Sequence, residues 1–397
     1  RSLSYRDLFR EVNALTVILK KYAIAKNDRV ALIMHNSLSW IEAFLACTQI
    51  GAIIIPINPG LEQKEIYSLL SHCEPKIIFT DEKNAPRIQA IANESALKAL
   101  VLDCENIRKQ KEQINTDAIG EEKNKNTDVA CIIYTSGTTA SPKGVQLTHE
   151  NLLANIISLQ KLHFILPEDR IICLLPLYHA YPLMASFLLP LLTGASISLS
   201  PSLDQKDILH CIQQTDVTIL VGVPRLFGLL KERIKKGIHQ LSFSRQRLLA
   251  AILEISLWLR RGFNINCAPF ILAEVHKQFG PKFRCLISGG AKLDEEVARQ
   301  FYTWGFTLLE GYGLTETSPA ISFNTPAKCK IGSAGLPIPD VSVQIHQPDE
   351  SGCGEIVVKG KNVTIGYYKD QALTTQRIKN SWFFTGDIGR LDRHGFL

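Results

Sequence analysis

Short segments that are apolar at nearly every position alternate along this chain with segments of helical periodicity. Ala52–Ile57, Arg170–Leu174 and Val217–Leu220 are of the first kind. Strands with no polar face to leave in water predict a parallel sheet covered by helices on both sides. Ser4 can cap a helix in which Leu8, Val12, Leu15 and Leu19 recur at helical spacing. Strands at Arg29–Met34, Ala52–Ile57 and Lys76–Thr80 then enclose helices at Trp40–Gln49 and Glu62–Ser71. A helix follows Thr148, and the rhythm resumes with strand Arg170–Leu174, helix Leu183–Leu192, strand Ser196–Leu199, helix Gln205–Gln214 and strand Val217–Leu220. After Gly311 it fades. Val341–Ile345 and Glu355–Val358, separated by Gly and Pro, predict a small antiparallel β subdomain. Cys104–Asp128, rich in Lys, Glu, Asn and Gln, is expected to be an exposed connector.

At 397 residues the chain is long for one core, so two or three subdomains are expected. The charge balance, 44 basic against 38 acidic residues, is too mild for a nucleic-acid surface. Ten cysteines lie scattered with no Cys-x-x-Cys, which argues against a compact zinc site. Those inside apolar runs, such as Cys131 and Cys173, read as small buried hydrophobes. No signal peptide is visible, so reduced thiols in a cytoplasmic setting are expected. The most apolar region, Ile171–Leu199, is broken by Pro176, His179, Pro182, Pro190 and Gly194, which excludes a spanning helix there.

Four patches carry chemistry. The first is Tyr134-Thr-Ser-Gly-Thr-Thr-Ala-Ser-Pro-Lys-Gly144, set between an apolar strand and a helix start. Its hydroxyls, backbone amides and Lys143 suit an oligophosphate. No Gly-Lys-Ser/Thr closes it, so it is not the common nucleotide loop. A triphosphate carries about four negative charges, while one lysine at ~4 Å supplies about 4 kcal/mol. Lys143 therefore shares the work with amides, hydroxyls and a divalent cation. The second patch, Ser288-Gly-Gly-Ala-Lys292, follows the apolar run Phe283–Ile287 and would let a flat ring approach the backbone. The third, Glu310-Gly-Tyr-Gly-Leu-Thr-Glu316, offers an aromatic face, a hydroxyl and a carboxylate suited to magnesium. The fourth, Trp382-Phe-Phe-Thr-Gly-Asp-Ile-Gly389, places Asp387 where it could accept ribose hydroxyls. Alone, the second patch reads first as a plain turn, the third equally as a structural turn, and Asp387 of the fourth also as a hairpin-turn aspartate.

In this order the four patches resemble the adenylate-forming superfamily: acyl-CoA synthetases, firefly luciferase and peptide-synthetase adenylation domains. The resemblance covers essentially the whole chain. It extends to Leu3-Ser-Tyr-Arg-Asp-Leu8, Gly354-Glu-Ile-Val-Val-Lys-Gly360 and Gly366-Tyr367. It implies an α/β large domain spanning 1–397: two parallel-type sheets flanked by helices plus a small antiparallel β-barrel subdomain. The expected subdomains are 1–75 with 200–310, 76–199 with the phosphate loop, and 311–397. The resemblance also implies residue roles. Thr135, Ser136, Gly137, Thr138, Thr139 and Lys143 would hold the β- and γ-phosphates of ATP. Gly289, Gly290 and Ala291 would line the adenine, and Tyr312, within Glu310, Gly311 and Gly313, would stack on it. Thr315 would contact the α-phosphate, Glu316 the Mg2+ ion and Asp387 the ribose. His179, in Pro176-Leu-Tyr-His-Ala180, matches the position beside the carboxylate and α-phosphate, although a histidine on an apolar stretch is more often a satisfied core residue.

The implied reaction activates a carboxylate to an acyl-adenylate with loss of pyrophosphate, then forms a thioester with coenzyme A. The chain departs from the family pattern at Ala140, where glycine is usual, and it stops at Leu397. The mobile C-terminal domain of relatives is absent, so this piece is expected to be weakly active alone. Leu174–Ala185 contains no carboxylate to hold an amino group, and Leu183, Met184, Phe187 and Leu188 are apolar. The stretch Val223-Pro-Arg-Leu-Phe-Gly-Leu-Leu230 resembles long-chain fatty acyl-CoA synthetases, so a fatty acid is the expected substrate. Two alternatives remain: transfer to the phosphopantetheine of an acyl-carrier protein, and a noncatalytic nucleotide- or acyl-binding module. The insertion Lys231–Phe263 holds eight Lys/Arg against two Glu. It reads either as a core-covering helix with a solvated basic face, or as an interfacial helix touching the inner membrane surface.

Overall fold

Ser4 begins the first helix as expected. Its Oγ accepts the Asp7 amide at 3.1 Å while the Asp7 carboxylate accepts the Ser4 amide at 3.3 Å, a closed capping box before Tyr5–Lys21. The computed structural model describes residues 2–94, 98–111, 124–135, 142–202 and 204–397. They form two units. One runs up to Ala154 and takes in Pro176–Ala180 and Lys361–Ser381; the other comprises Asn155–Leu175, Tyr181–Gly360 and Trp382–Leu397.

The first unit is built on strands β1 (Arg29–Ile33), β2 (Ile53–Pro56), β3 (Ile77–Thr80), β4 (Leu100–Asp103), β5 (Val129–Thr135) and β6 (Lys143–Thr148). Their order is β6-β5-β2-β1-β3-β4, with Gly366–Tyr367 added outside β6. Pairings from β5 to β4 are parallel; β5–β6 and β6 with Gly366–Tyr367 are antiparallel. Ile33, Ile55, Ile78 and Ile132 are fully buried against Ile66 and Leu70 of helix Gln63–Cys73. Each such side chain contributes about 1.5–3 kcal/mol of burial.

The second unit holds β7 (Arg170–Cys173), β8 (Ser196–Leu199), β9 (Ile219–Gly222), β10 (Cys285–Ser288), β11 (Leu308–Gly313), β12 (Ala320–Phe323) and β13 (Leu336–Pro337), in the order β13-β12-β11-β10-β9-β7-β8. The pairings are parallel from β8 to β11 and antiparallel from β11 to β13. Leu220, Leu286, Phe227 and Phe301 centre its core. β14 (Ser342–His346), β15 (Gly354–Lys359) and the strand Trp382–Gly389 form the expected antiparallel sheet. Helices flank both seven-stranded sheets.

The structure corrects several expectations. Both large sheets are mixed, because each ends in antiparallel strands. They also divide the chain near residue 150, not as 1–75 with 200–310 against 76–199: consecutive βαβ crossovers keep neighbouring strands together. β12 and β13, expected in the small β subdomain, extend the second large sheet. Within the supposed connector, Cys104–Lys111 is helical, with Ile107 buried and Lys111 paired to Glu11 and Glu42. Lys143–Gly144, expected to lead into a helix, instead begin the strand β6, which is antiparallel to β5, and the helix His149–Gln160 starts only after it.

Cys47, Cys73, Cys131, Cys173, Cys211 and Cys285 are buried, and no cysteine is in a disulfide. Burial pushes the Cys131 thiol up to about 12, so it is an inert apolar filler. No helix among the described residues is long and apolar enough to cross a membrane.

Candidate active site

In the second unit, three of the four sequence patches are joined to one another by hydrogen bonds. β10 and β11 run parallel with Ser288 opposite Glu310, so the glycine turn and the Glu310–Glu316 segment leave the sheet side by side. The Glu310 carboxylate accepts the Leu293 amide at 2.9 Å, tying the end of that turn to β11. Burial pushes this carboxyl above its ordinary range. Glu310 thus acts as a clamp on the turn. Tyr312 then donates its hydroxyl to Asp387 Oδ2 at 2.8 Å, joining the third patch to the fourth.

Tyr312 pairs with Ser322 in the β11–β12 ladder, and the register shifts immediately after it, between Tyr312 and Gly313. Burial, and next the bond to Asp387, raises the phenol far above its ordinary value; Asp387 and Glu316 add to this through their charges. Tyr312 therefore stays a neutral donor, with both carboxylates near it. Asp387 is exposed, in the irregularly paired part of the strand Trp382–Gly389, where Thr385 Oγ1 accepts its amide at 3.0 Å and Glu355 accepts the Gly386 amide at 2.8 Å. Thr315 and Glu316 sit in the short 3₁₀ turn Thr315–Thr317.

The glycine turn is shaped by a residue that sequence reasoning missed. A Cβ on Gly289 would lie 2.8 Å from the ring of Tyr181, whose hydroxyl is within 3.1 Å of the Gly222 carbonyl and 3.2 Å of the Ile287 carbonyl. Tyr181 thereby spans β9 and β10 beneath the turn, and Gly290 continues it at φ +79°. Ser288 Oγ, at the mouth of the turn, is buried without a hydrogen-bond partner. Asn324 and Asn155 were also missed. The Asn324 amide donates to the Glu310 carbonyl at 3.1 Å, and Asn155, wholly buried, donates to the Ala320 carbonyl at 2.8 Å. A lone asparagine outside any motif carries no local signal of such bracing.

In the first unit, Thr135 and Lys143 face each other across the β5–β6 ladder and close the ends of the candidate phosphate loop. Ser136, Gly137, Thr138 and Thr139, with Ala140, lie outside the described residues. Tyr134, at the foot of the loop, meets His72 Nδ1 at 2.7 Å, and the Tyr368 amide donates to the Gly144 carbonyl at 2.7 Å. The Gly366-Tyr367 motif is thus an edge strand that holds β6 in place. His179 is exposed, with its amide on the Pro176 carbonyl and its ring tilted 4.6 Å from that of Tyr178. Desolvation by its surroundings lowers its pKa, favouring the neutral imidazole.

These features fit an adenine nucleotide. Gly289 packs directly on the Tyr181 ring and Gly290 adopts φ +79°, so the turn presents bare backbone, which suits a flat base. An unpartnered buried hydroxyl and an exposed carboxylate held by a phenol suit polar contacts around it. Among the described residues no group of three or more His, Cys, Asp or Glu could cage a metal ion. Glu316 as a lone carboxylate is the donor an ion needs when phosphate oxygens complete its shell.

Comparison with known proteins gives a consistent picture. The family model described as AMP-binding enzyme matches residues 1–368. The chain is 28% identical to an indoleacetate–CoA ligase of Aromatoleum aromaticum, over 100% of its own length and 73% of that protein's. It is 27% identical to the long-chain-fatty-acid–CoA ligase FadD13 of Mycobacterium tuberculosis, over 100% and 72%. Among solved structures, the N-terminal domain of FACL13 from Mycobacterium tuberculosis superposes with a TM-score of 0.79 at 25% identity, covering 99% of this chain and 91% of that one.

Proposed function

This chain belongs to the AMP-binding enzyme family, and on that premise we propose that it activates a fatty acid with ATP and passes the acyl group to coenzyme A. The observation that carries this reading is the hydrogen-bonded run from the glycine turn through Glu310 and Tyr312 to Asp387. Such an array holds its groups in place through the protein's own hydrogen bonds, which is how a site whose work is positioning lowers a barrier.

In the proposed reaction a carboxylate oxygen of the acid attacks the α-phosphorus of ATP. The bond to the β-phosphate breaks, pyrophosphate leaves, and an acyl-adenylate remains. The thiol of coenzyme A then attacks the acyl carbon and AMP departs. Lys143, with Thr135, Ser136, Gly137, Thr138 and Thr139, would hold the β- and γ-phosphates. Gly289, Gly290 and Ala291 would line the adenine, Tyr312 would stack on it, and Asp387 would accept from the ribose. Thr315 would donate to the α-phosphate, and a neutral His179 could meet the acid without carrying a proton to it. Magnesium, held by Glu316, would neutralise phosphate charge.

The choice of a fatty acid rests on the absence of any carboxylate in Leu174–Ala185, which disfavours an amino acid, and on the likeness to a long-chain ligase. Leu183, Met184, Phe187 and Leu188 are all buried. The likeness to an indoleacetate ligase makes an aromatic acid the competing substrate. Pyrophosphate exchange by the intact protein, tested with fatty acids of graded length, indoleacetate and free amino acids, separates these readings. Fatty acids should stimulate exchange at least about tenfold more than amino acids, the discrimination expected of an apolar pocket. Exchange with aromatic acids alone would remove the fatty-acid assignment, and exchange with no acid would remove the ligase reading. Coenzyme A against a holo-acyl-carrier protein then identifies the acceptor.

Asp387→Ala gives a second check. It removes a ribose acceptor at an exposed position, so the Kd of a nonhydrolysable ATP analogue should rise about tenfold, one charged hydrogen bond's worth, with little change in stability. Tyr312→Phe removes the same hydroxyl–carboxylate bond but keeps the ring, and should weaken binding less. Calorimetry showing unchanged affinity for both variants would displace the nucleotide from this locus.

A further inference from the structure

The helix Phe243–Phe263 carries two apolar stripes where a surface helix needs one. Leu253 is buried in the second unit's core with Leu249 packed against it, and Leu257, one turn on, is buried as well. At about 100° per residue, Leu248, Ile252, Ile255, Trp258 and Phe263 fall within a separate arc of about 140°. All five are exposed, Trp258 at 62%. Phe243, 70% exposed, begins the same helix, and Phe270 stands exposed just beyond it. A contiguous apolar surface of this kind marks an interaction site rather than ordinary surface scatter.

The charge around the stripe selects its occupant. Arg245 and Arg247 border it on the helical wheel, and both are exposed, as are Arg233, Lys236 and Arg261 nearby in sequence. Arg247 lies 4.5 Å over the Phe243 ring, and Trp258 packs edge-on to Phe263 at 5.4 Å. Glu232 and Glu254 are the only acidic residues between Lys231 and Phe263. Leucine and isoleucine at the centre, aromatic rings towards the ends and arginine at the margins match the successive layers of a lipid surface: acyl chains, carbonyl zone and headgroup phosphates. Arg260 is the exception that fits. It turns inward, stacks 3.9 Å over Tyr302 and donates to the Phe306 carbonyl at 3.2 Å, so it braces the helix from behind.

We propose that Phe243–Phe263 is a membrane-docking helix that lies in the headgroup plane of a bilayer rich in anionic lipid. It inserts Leu248, Ile255 and Trp258 while Arg245 and Arg247 meet lipid phosphates. This is independent of which acid the enzyme activates.

The test uses the intact protein and vesicles of phosphatidylcholine with or without phosphatidylglycerol. Flotation should be at least tenfold stronger on the anionic vesicles and should weaken as salt rises. Trp258 emission should shift to the blue on binding, and the shift should vanish in Trp258→Phe, which separates it from the buried Trp40 and Trp304 and the half-buried Trp382. Ile255→Glu with Trp258→Glu should reduce binding at least tenfold while leaving far-ultraviolet dichroism and ATP-analogue affinity unchanged. Arg245→Glu with Arg247→Glu should remove the preference for anionic vesicles. Equal binding to neutral vesicles, no binding at all, or a dimer that Ile255→Glu dissociates would each overturn the proposal.

Discussion

Gly313→Ala is expected to lower acyl-adenylate formation by about a hundredfold, because it displaces the residues on either side of it. A Cβ at this position would sit 1.8 Å from the Pro319 carbonyl oxygen and 2.7 Å from its carbon. Both are backbone atoms, and neither can swing aside. The same carbonyl accepts the Leu314 amide at 3.1 Å, while Asn155 grips the backbone of Ala320. Relief must come from opening the β11–β12 turn, which carries Tyr312, Thr315 and Glu316. Overpacking of this sort costs about 1–3 kcal/mol or more in stability. A shift of about 1 Å in positioning groups costs about a hundredfold in rate. Gly228→Ala is the matched control: it lies within the helix Pro224–His239 with no atom near its would-be Cβ, and should stabilise by about 0.5–1 kcal/mol. Urea unfolding and pyrophosphate exchange measure both. Equal behaviour of the two variants would show that the close approach at Gly313 has no part in the chemistry.

Asp169→Ala is expected to destabilise the second unit by about 3 kcal/mol at neutral pH. Asp169 is almost wholly buried, just before β7. Its carboxylate accepts Arg284 Nε at 2.7 Å, the Thr218 hydroxyl at 2.7 Å and the Leu166 amide at 2.8 Å, with Arg284 Nη2 on the second oxygen. Alanine would strand all of these donors. Arg284 is a third exposed, so water recovers part of the loss, which places the figure low in the range for a broken buried pair. Burial alone would raise the Asp169 carboxyl, but the bonds from Arg284, Thr218 and Leu166 outweigh it and hold the pKa below the ordinary carboxylate value. The folded pKa is therefore depressed. Its stabilisation is complete above the unfolded value, about 3.9, and is lost as pH falls through the folded one. The gap between the parent protein and Asp169→Ala should narrow below about pH 4. A difference that stays flat from acid to neutral pH would show that the carboxylate acts without its charge.

What the sequence discloses here follows from how local each cause is. The strands apolar at every position, the Ser4 cap and the helix Gln205–Gln214 are set by neighbours within a few residues, and the structure places them where the pattern does. β6 was missed because Lys143-Gly-Val-Gln-Leu-Thr148 is neither continuously apolar nor rich in β-branched residues; pairing with β5 and with Gly366–Tyr367 makes it a strand. The helix Cys104–Lys111 was missed because its charged residues read as solvent-facing, whereas Lys111 turns inward to pair with Glu11 and Glu42. In the candidate site the motif residues were legible by type. Their braces, Tyr181, Asn155 and Asn324, were not, since each acts on backbone that is far away in sequence.

The segment after His179 holds one further lesson. From Leu183 to Leu188 the helix widens into a π turn, with the Leu189 amide reaching back to the Met184 carbonyl. Such a turn holds about one residue more than the α-helical kind, so it advances the phase of everything after it by about 100°. Leu183 and Met184 within it, and Leu189 and Pro190 after it, are all buried. The widened turn acts as a vernier, giving the stretch Leu189–Thr193 an angular setting that a uniform spiral continued from Ala180 would not have.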